Sequence, residues 1–264
     1  MELSLEKYIE KSNFISWKDF YAKYEPIVWL NLDIYSNEIL FRINNYNNAH
    51  ISFLSELRAR NETFLVFIKV CKKAFEDVFN TWKNININLE IQDLMNPLFL
   101  SYIESLTNEF NINTSKVNFE ILENEEITED NRSVILWKIR LLSKKWFKIT
   151  IDDLFSWYSH KQRIDFLLSK WVNLEMVKID GRFIQDAYLC NKYWYDCKEI
   201  KKSISLKDID DLKNYISELK SKWIKVVAEW IETEDMFIFV KSLWIEYFQW
   251  YLFQNFENDK LFKI

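Results

Sequence analysis

The segment Lys148-Ile149-Thr150-Ile151-Asp152-Asp153 is an apolar run that ends in two acids, and it gives the first indication of the fold. A second apolar run, Leu174-Glu175-Met176-Val177, ends in Lys178-Ile179-Asp180. Each run predicts a strand with charge at its carboxyl end, and the amphipathic stretch from Arg163 to Lys170 predicts the helix between them. In parallel α/β proteins these strand ends carry the chemistry. A lone Asp-Asp pair is more typical of a helix cap or a solvated turn, so the interpretation depends on repetition elsewhere.

The composition indicates a folded chain without a basic binding surface. The 264 residues are 49% apolar and 17% aromatic, and the formal net charge is -5. This charge argues against a nucleic-acid polymer as partner. It leaves open an anionic substrate held through metal ions, because bound cations dominate a local field.

Cysteine content and hydropathy predict a cytoplasmic protein that does not enter the membrane. The cysteines are odd in number, form no CxxC pair and indicate ordinary thiols in a reducing compartment: Cys71, Cys190 and Cys197. Residues 1–11 lack the apolar core of a signal peptide. The most apolar late stretch, Met236 to Phe253, is interrupted by Lys241 and Glu246 and is too polar to cross a bilayer.

Strands and helices alternate from residue 85 onward. Residues 4–24 and 52–79 are predicted to be helical, the latter as two helices parted near Asn61. The predicted strands cover 26–30, 34–42, 85–89, 117–123, 148–153, 174–179, 224–229 and 245–253. The remaining predicted helices cover 97–110, 132–145, 163–170, 205–222 and 234–243. About eight strands with helical crossovers over this length indicate a closed α/β barrel in one domain.

Most predicted strands end in or near a carboxylate, an amide or an amine. These residues are Glu38, Asn88, Glu120, Asp152, Asp153, Lys178, Glu229 and Gln249. Oxygen ligands without histidine or cysteine are typical of Mg²⁺ or Mn²⁺ rather than Zn²⁺. Two such ions bridged by one acid can activate water for in-line displacement at phosphorus.

Eight short motifs in register resemble the EAL domains, the cyclic-di-GMP phosphodiesterases. The resemblance extends from about Tyr24 to Phe256. The motifs are Pro26-Ile27-Val28, Glu38-Ile39-Leu40-Phe41-Arg42, Asn88-Leu89, Phe119-Glu120-Ile121-Leu122-Glu123, Ile151-Asp152-Asp153, Val177-Lys178-Ile179-Asp180, Ala228-Glu229-Trp230-Ile231-Glu232-Thr233 and Gln249-Trp250-Tyr251-Leu252-Phe253.

The resemblance implies an α/β fold, a TIM-like (β/α)8 barrel with an antiparallel first strand. We expect a single EAL-type domain over residues 1–264, with an N-terminal helix over 1–23 and an insertion over 186–203. The implied reaction is hydrolysis of cyclic di-GMP to linear pGpG with two Mg²⁺ or Mn²⁺ ions. Because the family often dimerises through the region after Asp153, a homodimer is left open.

The resemblance also implies a role for each site residue. The implied metal ligands are Glu38, Asn88, Glu120, Asp152 and Asp153. Lys178 would lie near the attacking water and the phosphate, Glu229 would be the general base, and Gln249 would support water or metal. Arg42 and Glu232 would contact substrate, and Glu123 would order the loop after Asp153. Without the family, a surface ion pair explains Arg42 and Glu123 equally well.

Glycine is almost absent, and tryptophan stands where the family has glycine. The chain has one glycine, Gly181, and twelve tryptophans, although roughly 7% glycine is usual. Trp157, Trp230 and Trp250 occupy family glycine positions, and further tryptophans fall at turns where a glycine cap is expected: Trp146, Trp223 and Trp244. We hypothesise that UGA codons for glycine are misread as tryptophan; the alternative is a chain that carries these tryptophans.

Phe155 is a second departure, since the family has glycine here and codon reassignment does not produce phenylalanine. This puts turnover or its regulation in doubt. A binding-only EAL module that acts as a cyclic-di-GMP receptor or interaction platform is therefore the alternative function. An unrelated magnesium-dependent barrel enzyme that acts on another phosphate ester is a third.

Overall fold

The strands carry the site, and their bounds come from a computed structural model. The structure describes residues 4–12, 20–43, 49–122, 129–155, 161–170, 172–193 and 209–249. The strands within these ranges are β1 (Phe20–Trp29), β2 (Ile34–Ile43), β3 (Ile85–Leu89), β4 (Val117–Ile121), β5 (Lys148–Leu154), β6 (Leu174–Ile179), β7 (Lys225–Ala228) and β8 (Tyr247–Gln249).

The helices alternate with the strands from β2 onward. They are α1 (Leu5–Ser12), α2 (Ala49–Ala59), α3 (Phe64–Thr81), α4 (Ile91–Met95), α5 (Phe99–Phe110), α6 (Glu129–Lys144), α7 (Lys161–Ser169), α8 (Gly181–Tyr193), α9 (Ile209–Ser221) and α10 (Glu234–Ser242), with a short 3-10 turn at Thr114–Lys116. Within the described ranges, no helix is both long enough and apolar enough to span a membrane.

The strands form a closed barrel in sequence order from β1 to β8. Parallel pairing joins β2 to β3, β3 to β4, β5 to β6, β6 to β7 and β7 to β8. Strand β1 pairs with β8 in the antiparallel sense, with Ile27 opposite Gln249. The predicted TIM-like (β/α)8 barrel with an antiparallel first strand is confirmed.

The described residues fall into two compact units, the first drawn from 1–24 and 37–148 and the second from 25–36 and 149–264. Aromatic rings fill the core of the first unit, where the ring centroid of Phe147 lies 5.3 Å from that of Phe119 and 6.2 Å from that of Phe75.

Aliphatic side chains fill the core of the second unit. Ile27, Met176 and Val227 are completely buried there, and Tyr35 and Tyr247 pack against them. In each unit the strands are buried at nearly every position, as in β4 of the first unit and β6 of the second, so both strand faces are covered.

The prediction of one helix over the N-terminal residues, to 23 or 24, is wrong at its C-terminal end. Helix α1 ends at Ser12, and β1 already begins at Phe20. The run Phe20-Tyr21-Ala22-Lys23-Tyr24 is rich in aromatic residues, which favour strands. The Tyr24 hydroxyl also donates a hydrogen bond to the Asp77 carboxylate on α3, so tertiary contacts decide the conformation of this segment.

Two further segments refine the sequence prediction. Helix α4 was not predicted, because five residues are too few for a helical period to be recognised. Residues 186–193 of the expected insertion belong to α8, whereas 194–203 lie outside the described residues. Whether 186–203 is an insertion, and whether 1–264 is a single domain, stay predictions.

Candidate functional site

Four polar side chains of the first unit form what we call the amide-carboxylate group: Glu38 on β2, Asn86 and Asn88 on β3, and Glu120 on β4. Strand register sets Glu38 opposite Asn86 and Asn88 opposite Glu120. The Asn88 Nδ2 donates to Glu38 Oε1 at 2.8 Å, and the Asn86 Nδ2 donates to Glu120 Oε1 at 2.5 Å. Both carboxylates are thus held by neutral amide donors, although Glu120 is fully buried.

The side-chain oxygen of Asn88 points away from Glu38 and is buried. A carboxylate only accepts hydrogen bonds, so the amide nitrogen of Asn88 must face Glu38 and its Oδ1 must point elsewhere. That oxygen is buried, and within the part of the chain that the structure describes it accepts no hydrogen bond. A buried amide oxygen without a donor is costly unless a ligand satisfies it. The arrangement fits the expected role of Asn88 as a metal ligand.

Arg42 lies near the same amide. Its side chain is half-buried, and its Nη1 donates to the Phe41 carbonyl at 2.9 Å. Arg42 and Asn88 line one cavity of about 200 Å³, together with Arg58 and Glu90. This cavity therefore places a guanidinium and an amide, both predicted to be functional, around one space.

Four charged side chains of the second unit form the lysine-carboxylate group: Asp152 and Asp153 on β5, Lys178 on β6, and Glu229 after β7. The Lys178 side chain is almost completely buried, and its Nζ lies 3.0 Å from Asp152 Oδ1 and 2.8 Å from Glu229 Oε1. Parallel strands bring these residues together although Asp152 and Glu229 are far apart in sequence.

The lysine-carboxylate group has the composition of a divalent-cation site. One carboxylate oxygen each from Asp152, Asp153 and Glu229 lies within 4.8 Å of the others. Three acids face one ammonium in this group, so either a proton or a cation is needed to balance its charge. Oxygen donors of this kind suit Mg²⁺ or Mn²⁺.

Burial raises the pKa values of two of these acids. For Asp153, burial and then the neighbouring Asp152 raise the pKa to about 7. Burial also raises the pKa of Glu229 well above its usual range, against the opposing effect of the Lys178 ammonium. Both acids therefore take up protons easily in the absence of a metal ion, and a bound cation favours their ionised forms.

The end of β5 turns through left-handed backbone conformations. Asp153 has a φ of 51° and Phe155 a φ of 76°, a region that bulky residues rarely adopt. The Phe155 ring is buried, with centroids 4.7 Å from Phe183 and 5.8 Å from Tyr215. Packing therefore holds a phenylalanine where the backbone favours glycine.

The other predicted site residues are distributed as follows. Gln249 is buried at the end of β8. Glu232 is exposed between β7 and α10. Glu123, Trp157 and Trp250 lie outside the described residues, so the expectations for them stay predictions.

Sequence reasoning missed Asn86. Its side chain is 1% exposed and donates to Glu120. The alternation in Ile85-Asn86-Ile87-Asn88-Leu89 was a usable signal, because residues two apart share one face of a strand.

Comparison with known proteins assigns the family. The family described as EAL domain matches residues 10–194, and the chain belongs to this family. It is 27% identical over 241 residues to the cyclic di-GMP phosphodiesterase PdeF of Escherichia coli strain K12. This alignment covers 88% of this chain and 29% of PdeF. Over 167 residues it is 26% identical to the probable cyclic di-GMP phosphodiesterase PdeA of the same strain, which covers 63% of this chain and 20% of that protein.

The chain thus spans less than a third of the length of either relative. Among solved structures, it is similar to the EAL enzyme Bd1971 with cAMP and cyclic di-GMP bound. The TM-score is 0.73 at 19% identity, over 94% of this chain and 64% of that one. This similarity supports the barrel fold.

Proposed function

We propose that the chain is a metal-dependent phosphodiesterase that hydrolyses cyclic di-GMP to linear pGpG. The observation that carries the proposal is the close approach of the carboxylates of Asp152, Asp153 and Glu229 around buried Lys178, in a member of the EAL domain family. The names of the two E. coli relatives support this substrate.

The proposed metal ligands are Glu38, Asn88, Glu120, Asp152 and Asp153. Two divalent ions, Mg²⁺ or Mn²⁺, would supply positive charge that activates water and stabilises the oxygens of an in-line displacement. The hard oxygen donors support either ion. Arg42 and Glu232 are proposed to contact the substrate, and Gln249 to hold water or a metal.

Within the lysine-carboxylate group, Lys178 and Glu229 take complementary roles. Glu229 would accept the proton of the attacking water, because burial raises the pKa of its carboxyl group and so makes the carboxylate a stronger base. The Lys178 ammonium keeps Asp152 and Glu229 in place from 3.0 and 2.8 Å and faces the developing charge on the phosphate.

A second candidate is a binding-only module, a receptor that holds cyclic di-GMP without turnover or a platform for another protein. Phe155 favours it, because a bulky residue at φ 76° replaces the flexible turn expected after the two aspartates. The proposed location of either form is the cytoplasm, and a homodimer is compatible with both.

Incubation of the chain with cyclic di-GMP and either Mg²⁺ or Mn²⁺ separates the two candidates. The enzyme produces pGpG, and Glu38→Ala abolishes the product. The receptor binds cyclic di-GMP tightly and releases no pGpG over hours. The assay is run on the chain with tryptophan at positions 157, 230 and 250 and on a version with glycine at these positions.

We further propose that several tryptophans of this chain are glycines in the natural protein. Five of the described tryptophans have left-handed φ values between 57° and 68°: Trp82, Trp146, Trp223, Trp230 and Trp244. Left-handed backbone is cheap for glycine and strained for a bulky side chain. Trp146 and Trp223 are also 76% and 90% exposed, so little burial of the ring offsets the strain.

Trp230 bears directly on the site, because it follows Glu229. Its ring lies so close to Gly181 that a Cβ on Gly181 would be 2.1 Å from the Trp230 Cγ. The glycine at 181 therefore leaves room for the Trp230 ring, and a glycine at 230 would open this space beside Glu229. The nucleotide sequence tests the proposal: UGA codons at 157, 230 and 250 support it, and UGG codons there contradict it.

A further inference from the structure

An ion pair next to the amide-carboxylate group has no role in the function proposed so far. The Arg58 side chain, at the end of α2, donates from Nε and Nη2 to both carboxylate oxygens of Glu90, at 2.9 and 2.7 Å. The Glu90 side chain is 10% exposed and that of Arg58 is 30% exposed. A two-point contact between planar groups fixes orientation as well as distance.

Glu90 stands two residues after Asn88, at the point where β3 gives way to α4. Its backbone N–H donates to Asp93 Oδ2 at 3.3 Å, and Asp93 Oδ1 accepts a hydrogen bond from the Thr63 hydroxyl at 2.9 Å. The Gln92 amide donates to the Arg58 carbonyl at 3.2 Å. The first turn of α4 is therefore joined to α2 and to the start of α3.

The other end of α4 is fixed as well. Lys138, whose side chain is buried on α6, donates from Nζ to the carbonyls of Leu94 and Asn96 at 2.5 and 2.7 Å. A five-residue helix has little stability of its own. These contacts make it a rigid support for the strand end that carries Asn88.

We propose that Arg58 is a positioning residue for Asn88. By holding Glu90, it fixes the backbone that follows Asn88 and so keeps the Asn88 Oδ1 directed at the metal ion. Arg58 lines the same cavity as Asn88 and Arg42, which places this support beside the proposed metal ligand. The inference rests on the proposed function, since it takes Asn88 as a metal ligand.

The test measures Mn²⁺ binding to the full chain by calorimetry, without nucleotide. Arg58→Met is expected to weaken Mn²⁺ binding about tenfold, which is the lower end of the effect found when outer-shell partners of metal ligands are removed. Arg58→Lys keeps the charge but not the two-point contact, and should recover part of the affinity. The matched control is Arg60→Met, since Arg60 is exposed and pairs at 3.4 Å with exposed Glu56; it should bind Mn²⁺ like the parent.

A double-mutant cycle separates positioning from general loss of structure. In an Asn88→Ala background, adding Arg58→Met should change Mn²⁺ affinity less than twofold, because the residue on which Arg58 acts is gone. A tenfold loss that persists in this background overturns the inference, as does an Arg58→Met variant that binds like Arg60→Met. A parent chain that binds no Mn²⁺ and forms no pGpG instead overturns the proposed function, and this inference with it.

Discussion

The amide-carboxylate group and the lysine-carboxylate group bury similar acids beside different partners. In the first, neutral asparagine amides donate to Glu38 and Glu120. In the second, the Lys178 ammonium lies within 3.0 Å of Asp152 and 2.8 Å of Glu229. A neutral donor orients a carboxylate and leaves its charge unchanged, whereas an ammonium cancels one charge among several.

This difference in partners indicates how each group would hold the proposed cations. The amide-carboxylate group presents fixed oxygens, with Asn88 Oδ1 left without a donor among the described residues. The lysine-carboxylate group balances burial, repulsion and one positive charge, and this balance raises the pKa of Asp153 to about 7. Fixed oxygen positions therefore distinguish the amide-carboxylate group, whereas the balance of charges distinguishes the lysine-carboxylate group.

Removal of the ammonium should have the largest effect on stability. Lys178→Met leaves Asp152 and Glu229 buried without their cation, and breaking a buried charge pair in this way costs about 3–5 kcal/mol. Urea unfolding at pH 8 without divalent ions measures the loss. Lys225→Met is the matched control, because Lys225 contacts Glu175 at 2.7 Å but is 27% exposed. It should cost about 1 kcal/mol or less, and equal losses would contradict the electrostatic account.

Removal of an amide donor should cost less. Asn86→Leu deprives fully buried Glu120 of a hydrogen bond and should lower the free energy of unfolding by about 1–3 kcal/mol. Asn31→Leu removes a similar amide-carboxylate bond, from Asn31 Nδ2 to Asp33 Oδ2 at 2.6 Å, but on the surface. Its effect should stay within about 0.5 kcal/mol in the same urea experiment. Equal losses of unfolding free energy in the two variants would show that burial does not strengthen the contribution of the Asn86 amide to stability.

Mn²⁺ binding should depend on pH through the lysine-carboxylate group. Asp153, with a pKa raised from 3.8 to about 7, is mostly protonated at pH 6, so the ion must displace its proton. Affinity should rise by up to about tenfold per pH unit below 7, where the proton of Asp153 must be displaced. Calorimetry at pH 6, 7 and 8 in buffers of different ionisation enthalpy measures affinity and proton release. An affinity that does not change across this range would refute the expectation.

The raised pKa of Asp153 also makes the stability of the metal-free chain depend on pH. Because the pKa of Asp153 is raised on folding, the folded chain holds more protons than the unfolded chain between pH 3.8 and about 7. The contribution of this group to stability is therefore lost as pH rises through that interval. Bound Mn²⁺ should stabilise the chain more at pH 8 than at pH 6, which thermal unfolding with and without the ion measures.

The smallest effect is expected at the turn that precedes β7, which belongs to neither group. Trp223 has a φ of 63° and is 90% exposed, so Trp223→Gly should stabilise the chain by about 1 kcal/mol. Trp137→Gly is the control, since Trp137 is also exposed but lies within helix α6, where glycine costs about 1 kcal/mol. Thermal unfolding of both variants measures these shifts. A stabilising Trp137→Gly or a destabilising Trp223→Gly would contradict the strain argument.

Much of the barrel was predictable from local patterns. The apolar run that ends at Asp153 and the run before Asp180 are both strands, since burial on two faces demands unbroken apolar sequence. Helix α4 was not predictable, and the strand start at Phe20 had only the weak signal of its aromatic residues. Both depend on partners distant in sequence: Arg58 and Lys138 hold α4, and Asp77 holds the Tyr24 hydroxyl.

The site was predictable as a set of residue types but not as a set of contacts. The sequence shows acids, amides and one lysine at the ends of the predicted strands. Such positions are informative because the carboxyl ends of parallel strands are where α/β proteins bind ligands. Which amide donates to which acid depends on strand register, and the Asn86 to Glu120 contact is decided there.

The order of residues alone is enough to predict a barrel of alternating strands and helices with acids and amides at the strand ends. It also establishes the family, through motifs that include Asp152, Asp153 and Lys178. Only the folded chain decides that Lys178 joins Asp152 to Glu229 and that the pKa of Asp153 rises to about 7. The physical reason is that desolvation and charge pairing arise from atoms brought together by folding, and no local pattern encodes their distances.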